Sequence, residues 1–308
     1  MYAKSIKRSK LFFTHFGIAF KLFRKNDPLR LAGATAFFAN FALPPIILIL
    51  IRLFGFFVDR QFLAKRIFET LGNVLDEGST EQIRETLRNI RAIDYDWWAT
   101  ILSFVFFLFV ATTLFNVIKN SMEQIWRIGV NDKLGILFTL KLRGRSMVII
   151  LLAGILFFVG IVSDSVQAFI ATYVNTAAPT FGKVFLSILN QLLFVVIVTT
   201  WFAVLFRFLT NGRPSWKTAI KGGLLTGILF TLGKYILRIM LPLSNIGNIY
   251  GASGSIILIM LFVFYSSFIF YFGTCFVKVI SDASTKPILT IKGSFLYELK
   301  EIAKDNKS

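Results

Sequence analysis

The sequence predicts an all-α, polytopic membrane bundle of six transmembrane helices, with amphipathic helices at its N-terminus and on its periplasmic side. Three observations carry that expectation. Of the 308 residues, 56% are hydrophobic, above the roughly 45–50% of a soluble domain, and the mean hydropathy is +0.70. The apolar residues, among them 36 Phe, are gathered into long runs rather than spread along the chain. The formal net charge of +18 is concentrated in alternate connecting segments, the pattern of cytoplasmic loops in a multi-pass protein. Six spans of about 22 residues use roughly 130 positions, which leaves ample chain for surface helices and termini.

Residues 6–25 interleave Phe12, Phe13, Phe16, Phe20 and Phe23 with Lys7, Arg8, Lys10, Lys21, Arg24 and Lys25. Such a segment is too charged to span. It predicts a basic amphipathic helix on the anionic cytoplasmic leaflet, within a cytoplasmic region 1–30. No small-residue cleavage site follows a short apolar run, so the first span is expected to act as an uncleaved targeting signal. Asn26-Asp27-Pro28 reads as a helix start, with Asp27 as N-cap and Pro28 in the first turn.

The six-span domain is expected over 31–280. Its first span, about 31–58, contains Pro44-Pro45, which should kink or break the helix. Residues 59–96 carry six basic and eight acidic residues. Ile67, Leu71 and Val74, then Ile83, Leu87 and Ile90, recur there at helical spacing. They predict two short amphipathic helices, split at Gly78 and capped by Ser79 or Thr80, as an outer insertion. The second span is about 98–117, anchored by Trp97-Trp98 at its interface. The third is about 146–173, the fourth about 184–209, the fifth about 222–241 and the sixth about 254–280. A cytoplasmic tail, 281–308, follows.

Charge tests this order. Residues 1–30 carry a net +7, 119–147 +4, 207–221 +4 and 278–308 +2, whereas 59–96 carry −2, 174–183 +1 and 242–253 none. Every strongly basic segment falls on one side of a six-span alternation. A cell inner-membrane protein with both termini cytoplasmic is expected.

Ionisable groups at membrane depth mark candidate sites. Asp164 interrupts the third span, either as a substrate or ion contact or as a wetted residue near the outer interface. Lys234 and Arg238 are four apart and share one helix face. They suit a pocket for an anionic head group, or they snorkel to the outer interface; Arg52 has the same two readings. Asn190-Gln191 suits interhelical hydrogen bonding, and Gly223-xxx-Gly227 and Gly247-xxx-Gly251 suit close helix packing. The uncharged loop 244–251, with Asn245, Asn248, Tyr250 and Gly251, reads as a re-entrant or pore-lining element or as a tight connection.

Soluble-enzyme chemistry finds no residues to carry it. His15 is the sole histidine and Cys275 the sole cysteine, so a histidine triad, a zinc site and an intrachain disulfide have no partners. No phosphate-cradling or dinucleotide-binding motif occurs. No catalytic residue, metal or other cofactor is expected, nor a nucleic-acid partner. The acidic residues of 59–96 form a mixed-charge helix surface rather than a two-metal nuclease centre.

Several segments carry a resemblance. Leu31-Ala-Gly-Ala-Thr-Ala-Phe-Phe38 followed by Pro44, the segment Asn120-Ser-Met-Glu-Gln-Ile-Trp126, the Lys221-Gly222-Gly223 entry to the fifth span, and Ile249-Tyr-Gly-Ala-Ser-Gly254 with the late Gly273 are similar to the YihY/BrkB family. These are polytopic inner-membrane proteins once labelled as ribonuclease BN. The entry to the fifth span lacks the proline that the family carries there. The resemblance covers about 25–280 and implies six helices and an inner-membrane location. Some members are associated with envelope integrity, serum resistance or lipopolysaccharide-lipid traffic. It therefore implies a transporter or lipid-handling protein for an anionic lipid or small solute; on that reading the ionisable residues singled out above, Arg52, Asp164, Lys234 and Arg238, line a polar route. The alternative is a non-transporting envelope-integrity or scaffold protein. The expected partners are membrane lipids, with anionic lipid at the cytoplasmic leaflet. Oligomeric state has no decisive signature, and a homodimer is compatible with the sequence.

Overall fold

The computed structural model describes residues 2–55, 59–74, 77–92, 97–130, 155, 159–160, 179–243, 250 and 254–299. Eight helices are described: α1 (Tyr2–Lys25), α2 (Pro28–Phe54), α3 (Arg60–Val74), α4 (Glu77–Ala92), α5 (Trp97–Trp126), α6 (Pro179–Phe208), α7 (Trp216–Leu243) and α8 (Gly254–Asp282). Four short strands accompany them: β1 (Ile128–Val130), β2 (Gly212–Arg213), β3 (Leu289–Thr290) and β4 (Ser294–Leu296). The chain is thus almost entirely helical, with several long apolar helices. Among the described residues, three are long and apolar enough to cross a membrane: Ile188–Phe208, Trp216–Leu237 and Ile256–Asp282. The six-span expectation is met to that extent; its third span, 146–173, lies almost wholly outside the described residues.

The exposed faces of these helices are apolar in register. Ile188, Leu192 and Val196 of α6 are exposed, as are Trp216, Ile220, Leu224, Ile228 and Leu232 of α7. Each series repeats every four residues and forms one continuous helix stripe. In water such stripes would invite aggregation; against acyl chains they cost nothing.

α8 is the centre of the packing. It contacts α1, α2, α4, α5, α6 and α7. α2 runs antiparallel to it: Thr35 near the start of α2 hydrogen-bonds Tyr271 late in α8 at 2.6 Å, while Ile47 and Ile51 share a buried cluster with Ile259. Two cores result, one at each end of the bundle. The basic-end core joins Phe23, Leu31, Ile125, Trp126, Phe206 and Phe276. The far-end core joins Ile47, Ile51, Leu63, Ile67, Ile83 and Leu87, so α3 and α4 cap that end through the spacing read in the sequence.

α7 lies between α6 and α8 because glycines remove side chains on two of its faces. A Cβ on Gly223 would stand 2.6 Å from the Thr199 carbonyl and 2.9 Å from the Ala203 nitrogen of α6. On the other face, a Cβ on Gly222 would collide with Val277 and one on Gly233 with Tyr265, both on α8. The Tyr265 hydroxyl instead donates to the Leu229 carbonyl at 2.9 Å. The expectation of close packing at Gly223-xxx-Gly227 is met between α6 and α7.

Three local expectations need correction. α2 continues as one helix across Pro44-Pro45, so the tandem proline does not break it, although each proline forfeits one backbone donor. Asp27 occupies the N-cap position but is left-handed (φ 50, ψ 60) and makes no side-chain cap bond, so it turns the chain between α1 and α2 rather than capping. Ser79 and Thr80 lie inside α4, which begins at Glu77. The side-chain cap in this region belongs to α3, where Asp59 Oδ1 accepts the Phe62 amide at 2.8 Å.

The glycine geometry separates two substitutions. Gly33→Ala in α2 meets nothing within 4 Å and should leave the thermal midpoint unchanged or slightly raised. Gly223→Ala should destabilise by about 1–3 kcal/mol, because backbone atoms block the new methyl; thermal unfolding of the two purified variants in detergent compares them.

Candidate functional site

Lys234 is the one proposed site residue whose side-chain surroundings are described in detail. It follows Gly227 and Thr231 on the α7 face that meets α6, and it is half-buried. Its Nζ stands 4.4 Å from the ring centroid of Phe194 in α6, close enough for a cation–π attraction strengthened by a dry surrounding. One residue on, the Tyr235 hydroxyl donates to Gln191 Oε1 at 2.8 Å. The glutamine thus serves as interhelical glue, as its position predicts, while Asn190 is exposed.

The other proposed residues are less fully placed. Arg238 lies in α7 one turn after Lys234, and Arg52 lies near the end of α2; their side chains fall outside the description. Tyr250 is helical and 54% exposed. Asp164, Asn245, Asn248 and Gly251 lie outside the described residues. α2 packs on α8, and α7 packs on α6 and α8.

Sequence reasoning missed a buried polar assembly at the basic end. Glu123 of α5 is 7% exposed. It accepts the Asn211 amide at 2.9 Å and lies 3.9 Å from the Lys119 ammonium one turn earlier. The Asn211 carbonyl accepts the Ile291 amide at 3.0 Å, which carries the connection into the C-terminal segment. Beside it, the Arg213 guanidinium donates to the Thr210 and Gly212 carbonyls at 3.0 and 3.1 Å. Trp126, fully buried, donates its indole N–H to the Thr274 carbonyl of α8 at 3.0 Å.

The C-terminal segment closes this assembly. β4 pairs antiparallel with β1, setting Gly129 opposite Phe295, and β3 pairs with β2, setting Gly212 opposite Thr290. The Tyr297 amide donates to the Arg127 carbonyl at 3.0 Å. Arg127 itself ends α5 in the left-handed region, φ 58, a position usually given to glycine. The faint sequence signals were Lys119 and Glu123 at i,i+4 and the Asn211–Pro214 turn. Strands of two and three residues leave no periodicity to read.

Among the described residues, no group of three His, Cys, Asp or Glu side chains is placed to hold a metal ion. The polar assembly ties the end of α5, the α6–α7 turn and the C-terminal segment together.

Comparison with protein families matches residues 19–289 to the family described as Virulence factor BrkB. The chain belongs to that family. Membership makes it a multi-pass inner-membrane protein of non-enzymatic character. No curated protein and no solved structure matches it. The Asn120–Trp126 segment, one carrier of the resemblance, is the end of α5 that supplies Glu123 and Trp126 to the buried assembly.

Glu123→Ala should lower unfolding stability by about 1–3 kcal/mol, since it strands a buried amide and a half-buried ammonium. Glu123→Gln retains an acceptor for the Asn211 amide and should lose less; denaturant titration of the two variants in detergent reads the difference.

Proposed function

We propose that this BrkB-family chain is a lipid-handling protein of the inner membrane, acting on an anionic lipid or a small anionic solute. The observation that carries the reading is the Lys234 ammonium, within an apolar span and seated over the Phe194 ring. A cation kept at that depth is costly unless it has a task. Arg238 follows on the same helix face, and the two together suit a phosphate or carboxylate head group. Arg52, Asp164 and the loop 244–251 extend the proposed polar route. Both termini are assigned to the cytoplasm, with α3 and α4 on the periplasmic side, because the basic segments gather at one end of the bundle.

A non-transporting scaffold is the second reading, favoured by the packing of the basic end. Phe206 and Phe270 stack there at 5.3 Å. Trp126, Tyr271 and Phe276 are buried beside them, and the paired strands lie across the same end. Among the described residues, that end is packed with aromatic rings.

Reconstitution into liposomes separates the readings. Protein-dependent movement of labelled phosphatidylglycerol is expected, slowed by about fivefold in Lys234→Ala and again in Arg238→Ala. Wild-type protein that is folded in the vesicles but moves neither lipid nor small anions would leave the scaffold reading standing.

A further inference from the structure

The turn between α6 and α7 carries four cations and no acid: Arg207, Arg213, Lys217 and Lys221. Among the described residues none of the four forms an ion pair, whereas Lys119 pairs with Glu123 and Lys278 with Asp282. The two arginines are fixed by neutral partners. Arg207 donates to the Pro214 carbonyl and stands 5.7 Å from the Trp216 ring. Arg213 stands 5.4 Å from the Phe208 ring, and that ring meets Trp216 edge-on at 5.6 Å. The result is a rigid alternation of guanidinium, indole, phenyl and guanidinium.

The level of this turn is fixed by its neighbours. One apolar span ends at Phe208 and the next begins at Trp216, so residues 207–217 lie where hydrocarbon gives way to water. Trp216 is 48% exposed there, the setting in which tryptophan anchors to the interface. Lys217 and Lys221 are both exposed and four residues apart on one face. Directly alongside them, Trp216, Ile220 and Leu224 begin the exposed apolar stripe that continues to Leu232.

We propose that this turn is a binding site for one anionic phospholipid. Lys217 and Lys221 take the phosphate, Arg207 adds fixed positive charge behind Trp216, and an acyl chain lies along Ile220, Leu224 and Ile228. The site is separate from Lys234, which lies 13 residues beyond Lys221, about 20 Å along α7. It does not depend on transport. The lipid there holds the α6–α7 turn at the interface rather than passing through the bundle.

Native mass spectrometry of the purified full chain in detergent tests this, with phosphatidylglycerol as probe and phosphatidylcholine as control. Wild type should retain a phosphatidylglycerol adduct in preference to phosphatidylcholine. The Lys217→Ala/Lys221→Ala variant should weaken that retention by about twenty-fivefold, the product of about fivefold for each lysine. Lys217→Arg/Lys221→Arg should restore it, and Lys65→Ala, an exposed lysine of α3 at the far end of the bundle, should leave it unchanged. Retention equal to wild type in the double alanine variant overturns the proposal, as does failure of the arginine variant to restore it. Displacement of the lipid by inorganic phosphate at equal concentration would show a free-phosphate site and overturn the lipid assignment.

Discussion

The two turns of α8 from Phe270 to Val277 are the surface on which the basic end of the bundle is assembled. Tyr271 bonds Thr35 of α2, Thr274 accepts the indole of Trp126 from α5, and Phe272 meets Phe16 and Phe23 of α1. Phe270 stacks on Phe206 of α6, while Gly273 admits the Thr226 side chain of α7. The contacts leave one helix in several directions around its axis. Apolar matching alone discriminates poorly where the surrounding lipid is equally apolar. Small residues that permit close approach and a few buried hydrogen bonds therefore set which helices meet.

That constraint explains how the two ends differ. At the basic end, aromatic rings and the Glu123–Asn211–Ile291 connection tie helix ends, a turn and the C-terminal strands into one body. At the far end, α3 and α4 contribute Leu63, Ile67, Ile83 and Leu87 to the core. They carry their charges outward in i,i+3 pairs such as Arg66–Glu69 and Arg84–Glu81. Those exposed pairs contribute little to stability. The Arg84 guanidinium also stands 4.9 Å from the Phe68 ring, linking the two cap helices to each other.

Features with strong periodicity or strong steric demand were legible in the sequence. Ile67, Ile83 and Leu87 announce two amphipathic helices by spacing alone, and Gly223-xxx-Gly227 announces a close crossing because a glycine pair serves little else within a span. Lys234 was recognisable as a cation at membrane depth, but not its seat on Phe194, which depends on a ring supplied by another helix. Of the two outcomes expected at the tandem proline, a kink or a break, the continuous α2 excludes the break. Asp27 misled because its residue type suits a cap, and equally suits the left-handed turn it makes. The strand clasp was illegible, since its two antiparallel pairs join residues far apart in sequence through backbone groups that every residue carries.

The central claim is that the basic core and the α3–α4 cap lie at opposite faces of one membrane. Single cysteines placed at exposed Lys292 and exposed Lys65 test it directly, because native Cys275 is buried. In intact spheroplasts a membrane-impermeant maleimide should label Lys65→Cys at once and Lys292→Cys only after lysis. Labelling of both positions from the same side would contradict the account.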